Sequence, residues 1–359
     1  MGTRSFRLRS GVLCASSLAA LAFILGAAVT AHPAQVEVSP SPALGPALWV
    51  ANDDTSYVSE FTGHGLTGID RQSPSRVLKS PDLDCPWGLI FDSAKNLWVS
   101  NVCSGTLTKF TSKQLKGLKT NDAPSAAVKI SGLDRPEGMV FDKYGDMWLA
   151  DENNKELYEF TSSQLASGGS PNPHMTISSS DFCSPVGIAF DSKGDLWVAD
   201  DCASELFKFT KAQLAAGGKQ TPTVVLSSDV SDSLDSCEPI LFDKSGNLWV
   251  ANNAGSIVKF SPSQLKSSGS PTPVVTLKPV VVTGTSADSL DVPAGITFDS
   301  EGNLWVGNAD SDEYGSVAQF SKSSIGASGS PQPLAFIDST SNKSNLGAPL
   351  FLIFGPKVP

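Results

Sequence analysis

The sequence predicts an all-β fold, a six-bladed β-propeller of four-stranded antiparallel blades. Three observations carry that prediction: six tryptophans at near-constant spacing, a Phe-Asp pair ahead of five of them, and a C-terminal strand pattern that the first repeat lacks. Trp49, Trp98, Trp148, Trp197, Trp249 and Trp305 recur at intervals of 49, 50, 49, 52 and 56 residues, and only Trp87 stands outside the series. Around each the core reads Leu-Trp-Val-Ala, or a close variant, followed by Asn or Asp. The pairs Phe91-Asp92, Phe141-Asp142, Phe190-Asp191, Phe242-Asp243 and Phe298-Asp299 lie seven residues upstream. A self-similar unit of roughly 40–50 residues marks a repeat architecture, and four short strands per unit mark a propeller blade.

One copy, 185–228, shows each element in turn. Pro185 to Phe190 is a first strand entered through a proline. Asp191-Ser-Lys-Gly194 is a tight turn, with Asp as cap and Gly free to take positive φ. Leu196-Trp-Val-Ala199 is a second strand, apolar throughout, as a sheet covered on both faces requires. Glu205 to Phe209 is the third strand. Thr210-Lys-Ala-Gln213 has the capping-box pattern of a helical turn, repeated as Thr111/Gln114, Thr161/Gln164 and Ser261/Gln264. Thr223 to Leu226 is the outer strand. The first copy begins at its second strand, Leu48-Trp49-Val50. Pro349 to Phe354 aligns with Pro86 to Phe91, so the C-terminal strand is expected to complete the first blade and close the ring, leaving no open edge between the ends.

Arg4, Arg7 and Arg9, the apolar run Gly11 to Val29 and the small residues before His32 predict a cleaved signal peptide over 1–31. A short linker over 32–45 and a single propeller domain over 46–359 follow. The chain is thus expected to be secreted or periplasmic, with no membrane span after cleavage, and monomeric. Removing those three arginines takes the formal charge from −10 to −13. Such a surface repels nucleic acid and anionic membranes and favours other partners: a small molecule, a glycan or a protein.

Five of the six cysteines survive cleavage. Cys85 and Cys183 precede first strands, and Cys103 and Cys202 lie five residues after their blade's Trp. Start and end of adjacent antiparallel strands are neighbours, so Cys85–Cys103 and Cys183–Cys202 are expected disulfides. Cys237 is left as a thiol.

The loops entering first strands and leaving second strands share one face, around the axis. A polar ring there, Asn52, Asn101, Asp151, Asp200, Asn252 and Asn308, recurs in every blade. It is read first as a set of turn caps, with Asn101, Asp151, Asp200 and Asn252 also counted in the candidate ligand-binding rim. Function concentrates where copies differ. The position after the first-strand proline, or after Cys237 in the fifth copy, reads Trp87, Glu137, Val186, Glu238, Ala294 and Leu350. Trp87, Glu137 and Glu238 are the leading rim candidates, and the two glutamates could bracket a basic group or a divalent cation (Ca, Zn or Mn). The acidic loop from Asn308 to Tyr314 is read as a solvated insertion. None of His32, His64 and His174 is placed for catalysis or a zinc cluster.

The stretch Pro185-Val-Gly-Ile-Ala-Phe-Asp-Ser-Lys-Gly-Asp-Leu-Trp-Val-Ala-Asp200 resembles the NHL repeat and the related SMP-30/gluconolactonase group. The resemblance implies a six-bladed propeller and, for NHL proteins, a binding platform. For the lactonases it implies a divalent metal in the channel, held by an Asn between proline and glycine with acids from other blades; Glu137 and Glu238 fall on that ring. No blade here reads Pro-Asn-Gly or Pro-Asp-Gly. Streptogramin-type lyases, with a similar propeller, need a rim histidine. The expected function is a non-catalytic binding module, and the alternative a metal-dependent hydrolase of the lactonase type.

Overall fold

The computed structural model describes residues 47–69, 73–119, 122–228, 233–309, 315–338, 346 and 348–355. The expected signal peptide 1–31 and linker 32–45 lie outside the described residues, as do positions 310–314 of the acidic loop. Six sheets follow one another in the chain. Blade I holds Ala47–Asn52, Tyr57–Phe61 and Arg76–Lys79, completed by Pro349–Gly355 from the C-terminal end. Blades II to VI start from Pro86–Phe91, Pro136–Phe141, Pro185–Phe190, Cys237–Phe242 and Pro293–Phe298. These innermost strands touch in order around the ring, and the C-terminal strand touches both its neighbours. Its pairing with the first strand, Val50 opposite Leu352, is the expected closure.

The second strands are fully buried because blades cover them from both sides. Trp49 lies edge-on to Phe91 of the next blade at 5.8 Å, Trp249 to Phe298 at 5.7 Å and Trp305 to Phe354 at 5.7 Å. Such pairs contribute about 0.5–1.5 kcal/mol each beyond area burial. The Asp of the Phe-Asp pair has two tasks. Its Oδ1 accepts the turn's backbone N–H groups, as Asp92 does from Ala94 and Asn96. Its Oδ2 accepts the indole N–H of its own blade's Trp in the pairs Asp92–Trp98, Asp243–Trp249 and Asp299–Trp305, at 3.1–3.3 Å. The closing strand carries Phe354-Gly355 instead, and the buried Trp49 indole N–H meets no partner among the described residues.

Glycines set the spacing around the axis. A Cβ on Gly88 would come 2.5 Å from the Glu137 carbonyl oxygen, and one on Gly187 2.7 Å from that of Glu238. Ser100 Oγ bridges that first contact, accepting from the Gly88 N–H at 2.8 Å and donating to the Glu137 carbonyl at 2.8 Å.

The outer edges are managed by a device the repeat reading missed. After five of the six helical turns the chain runs through a glycine that bridges, in parallel, to the outer strand of the preceding blade: Gly169 to Ile130, Gly218 to Ile177, Gly269 to Leu226, Gly329 to Leu277 and Gly68 to Ala335. These straps cover edges that would otherwise template association. Three of the four capping boxes form completely, at Thr111, Thr161 and Thr210. In the fourth copy only a 3-10 turn forms, Gln264–Lys266, where the Ser261 N–H donates to Gln264 Oε1 but the reciprocal side-chain cap is lacking.

Both expected disulfides are present, Cys85–Cys103 and Cys183–Cys202, with Cα atoms 5.4 and 5.5 Å apart. Cys237 is a buried thiol, pushed well above the ordinary value by burial and by the acids Asp201 and Glu238.

Candidate functional site

The axial face is built by one hairpin geometry used six times. The residue four after each Trp donates its N–H to the carbonyl just before the inner strand: Asp53 to Ala348, Val102 to Cys85, Glu152 to Arg135, Asp201 to Ser184, Asn253 to Ser236 and Ala309 to Val292, at 3.0–3.3 Å. Five of those carbonyl residues are held in left-handed backbone: Cys85, Arg135, Ser236, Val292 and Ala348. Because that conformation recurs around the ring, it belongs to the hook that enters each blade and marks no single site.

The polar ring sits beneath these hooks. Asn101, Asp151, Asp200 and Asn252 are all fully buried. Asn101 accepts from the Asp84 N–H at 3.1 Å, and Asn252 from the Asp235 N–H at 3.3 Å. Asp151 accepts from the Asp134 and Asn154 N–H groups, and Asp200 from those of Cys183, Ser184 and Ala203. Burial, only partly offset by those donors, raises Asp151 to about 6. All four side chains clamp the loop entering a blade to the loop leaving it.

The variable ring is different. Val186, Ala294 and Leu350 are buried and apolar, and Trp87 is partly exposed. Glu137 is 1 % exposed, yet sits in a blade-specific network. Arg135 donates to Glu137 Oε1 at 3.2 Å and, through Nε, to Glu152 Oε2. Ser184 of the next blade donates to Glu152 Oε1 at 2.6 Å. Glu137 Oε2 is buried and meets no donor among the described residues. Burial, then the charges of Glu152 and Glu238, push Glu137 well above the usual carboxylate range, and its protonated form can donate to Glu152. Burial alone would raise Glu152 too, but hydrogen bonds from Glu137, Ser184 and Arg135 outweigh it and hold Glu152 low. Two blades further on, Glu238 is 5 % exposed and accepts from Asn253 Nδ2 at 3.4 Å.

The structure thus joins Glu137 electrostatically to Glu238, and sets Trp87 one residue from the glycine that abuts Glu137. Arg135, Glu152, Ser184 and Asn253 were not singled out from sequence. Their signal lay in register: Asp134 and Asn153 stand where the next blade has Cys183 and Cys202, and are joined by a 2.9 Å hydrogen bond instead of a disulfide. Blade III therefore holds its axial loops by polar contacts where its neighbours use covalent ones.

A divalent metal fits this set poorly. Glu137, Glu152 and Glu238 do not bring three ligand atoms within 4.8 Å of one another; among the described residues two other groups of acids or cysteines do, one of them containing the Cys85–Cys103 pair. Arg135 moreover already supplies a cation to Glu137. His174 lies on the outer strand side of blade III, 57 % exposed and 3.9 Å from Glu159. His64 falls in the 3-10 segment Gly63–Leu66 beyond the third strand of blade I, and His32 lies outside the described residues.

Residues 182–209 match the NHL repeat, and the chain as a whole is a six-bladed β-propeller. No curated protein matches it. Among solved structures it is similar to a protein of unknown function from Bacteroides caccae, at 10 % identity and TM-score 0.60, over 86 % of this chain and 98 % of that one. A catalytically inactive virginiamycin B lyase from Staphylococcus aureus, solved with quinupristin, aligns at 13 % identity and TM-score 0.48 over 78 % and 83 % of the two chains. The extracellular domain of a putative one-component system from B. thetaiotaomicron aligns at 19 % identity and TM-score 0.43, over 65 % of this chain and 29 % of that one. At these identities the likeness is one of fold.

Proposed function

We propose that this chain is an exported, non-catalytic propeller module that binds a small molecule, glycan or protein on its acidic axial face. The observation that carries this reading is Glu137. Its ring position is apolar in three blades, so the fold does not need a carboxylate there, yet Glu137 is buried with one oxygen unpartnered. Burying a carboxyl beside a second acid costs free energy, and such a cost is kept where a ligand repays it. Two disulfides suit an oxidising compartment, in keeping with a signal peptide over 1–31. Among the described residues no helix is long and apolar enough to cross a membrane.

The alternative, a metal-dependent hydrolase, calls for a converging ligand set, which the glutamates do not supply. A thermal-shift screen of the purified chain against small molecules and oligosaccharides tests the proposal, with each hit repeated in Glu137→Gln, Glu238→Gln and Trp87→Phe. Hits lost in these variants support it. A large stabilisation by calcium, zinc or manganese that EDTA reverses and Glu137→Gln abolishes would favour the hydrolase instead.

A further inference from the structure

The chemistry of the rim narrows the ligand class. Arg135 is an internal cation resting on two carboxylates, and its side chain is 42 % exposed while Glu137 beneath it is 1 % exposed. The guanidinium therefore lies between solvent and the buried acid. Around it the rim is predominantly acidic, with Asp84, Asp134, Glu152, Asp201, Asp235 and Glu238 flanking the same hooks. Two buried or half-buried oxygens, Glu137 Oε2 and Asn253 Oδ1, have no donor among the described residues. Unused acceptors in a field of negative charge ask for a ligand that donates hydrogen bonds and carries positive charge. The partly exposed Trp87 adds an aromatic surface beside the Gly88–Glu137 contact, which a cation can use. An anion would meet the reverse: one arginine already committed to two glutamates, and several acids nearby.

We infer that the axial face of this propeller takes an organic cation, a ligand bearing a primary ammonium or guanidinium group, and that Arg135 occupies its place until the ligand displaces it. Arg135 then acts as a tethered competitor: it neutralises Glu152 and covers Glu137 in the free protein, and swings outward as the incoming group donates to Glu137 and Glu152. This inference rests on the axial-face reading above, and deepens it.

The two roles open to Arg135 have opposite signs. If it is a competitor, removing it tightens binding; if it is itself the ligand-contacting group for an anion, removing it abolishes binding. The experiment is titration calorimetry in EDTA with agmatine, which carries both cationic groups, and with butane-1,4-diol and succinate as neutral and anionic counterparts. Agmatine binding is expected to tighten several-fold in Arg135→Ala and to weaken about tenfold or more in Glu137→Gln and Glu238→Gln, because an amide cannot ionise to meet the incoming cation. Trp87→Phe, at a partly exposed position that does not threaten folding, is expected to weaken it by a smaller factor. Succinate binding that Arg135→Ala abolishes, agmatine binding that Arg135→Ala weakens, or no agmatine binding at all would overturn the cation assignment. The axial-face reading survives those results if another ligand binds with sensitivity to Trp87→Phe, and falls only if no ligand from the screen shows it.

Discussion

Substituting Glu159 by lysine should stabilise this protein, because the other blades show what blade III is missing. The cross-strand neighbour of the blade tryptophan is Lys109, Lys208 and Lys259 in blades II, IV and V. In blade IV, Lys208 Nζ sits 2.8 Å from Asp195 and 3.6 Å from Asp191, over the Trp197 ring. Blade III places Glu159 at that position, and Asp142, Asp146 and Glu159 each bring an oxygen within 4.8 Å of the others. Burial, and then the Asp146 and Asp142 charges against the relief from His174, raise Glu159 above its ordinary value. A group raised in this way stabilises the fold while protonated, and that contribution is lost as pH rises through its folded value.

Glu159→Lys turns two repulsions into two attractions and adds a cation–π contact. At about 0.5 kcal/mol for each half-buried term, these five gains less the lost contact with His174 leave about 2 kcal/mol, or about 3 °C in Tm for a domain of roughly 300 residues. Thermal unfolding followed by circular dichroism at pH 7, in low and in 0.5 M salt, reads it directly. The gain should be present in low salt and shrink in 0.5 M salt. An unchanged or lower Tm at low salt, or an equal gain in 0.5 M salt, would refute the reasoning.

Glu137 holds its proton more tightly in the folded than in the unfolded chain, so wild-type stability should fall as pH rises through its folded value. Glu137→Gln cannot ionise, and its Tm should match wild type near pH 4 and exceed it increasingly towards pH 9; a pH-independent difference would count against the buried acid. Deleting residues 346–359 removes the strand paired with Ala47–Asn52 and should abolish soluble folding, whereas Leu352→Ala, which empties a buried site, should cost about 2–5 kcal/mol in denaturant unfolding. Opening each disulfide frees a loop spanning 18 or 19 residues and should cost about 3 kcal/mol, so reductant should lower the Tm about twice as far as Cys85→Ser/Cys103→Ser alone, and should still lower the Tm of that variant through Cys183–Cys202. Gly138→Ala should be more damaging than its one methyl suggests, since the new Cβ would collide with the Val186 carbonyl of the next inner strand; a Tm within 1 °C of wild type, roughly the scatter of neutral surface changes, would mean the ring relaxes freely.

The fold was legible because a repeat states the same instruction six times. Leu-Trp-Val-Ala and Phe-Asp each encode a local act, a doubly covered strand and a capped turn, and local acts survive in linear order. The closing strand and both disulfides could be placed because antiparallel neighbours put chain positions together by rule. The interblade straps escaped that reading, since a glycine after a helical turn acts on the blade before it, and its partner lies about 40 or more residues back for Ile130, Ile177 and Leu226. Glu137 and Glu238 were visible as breaks in the repeat. Their partners were not, because Arg135, Glu152 and Asn253 acquire meaning only when two loops meet.

By itself, then, the sequence determined the propeller, its six units, its closure and the ring on which differences should be sought. Only tertiary structure decided that Asn101, Asp151, Asp200 and Asn252 are spent on clamping loops, while Glu137 lies buried against Arg135 and Glu152. The physical reason is that strand formation follows from residue pattern along the chain, whereas the charge state of a buried carboxylate depends on burial and on the field of side chains brought to it from several blades.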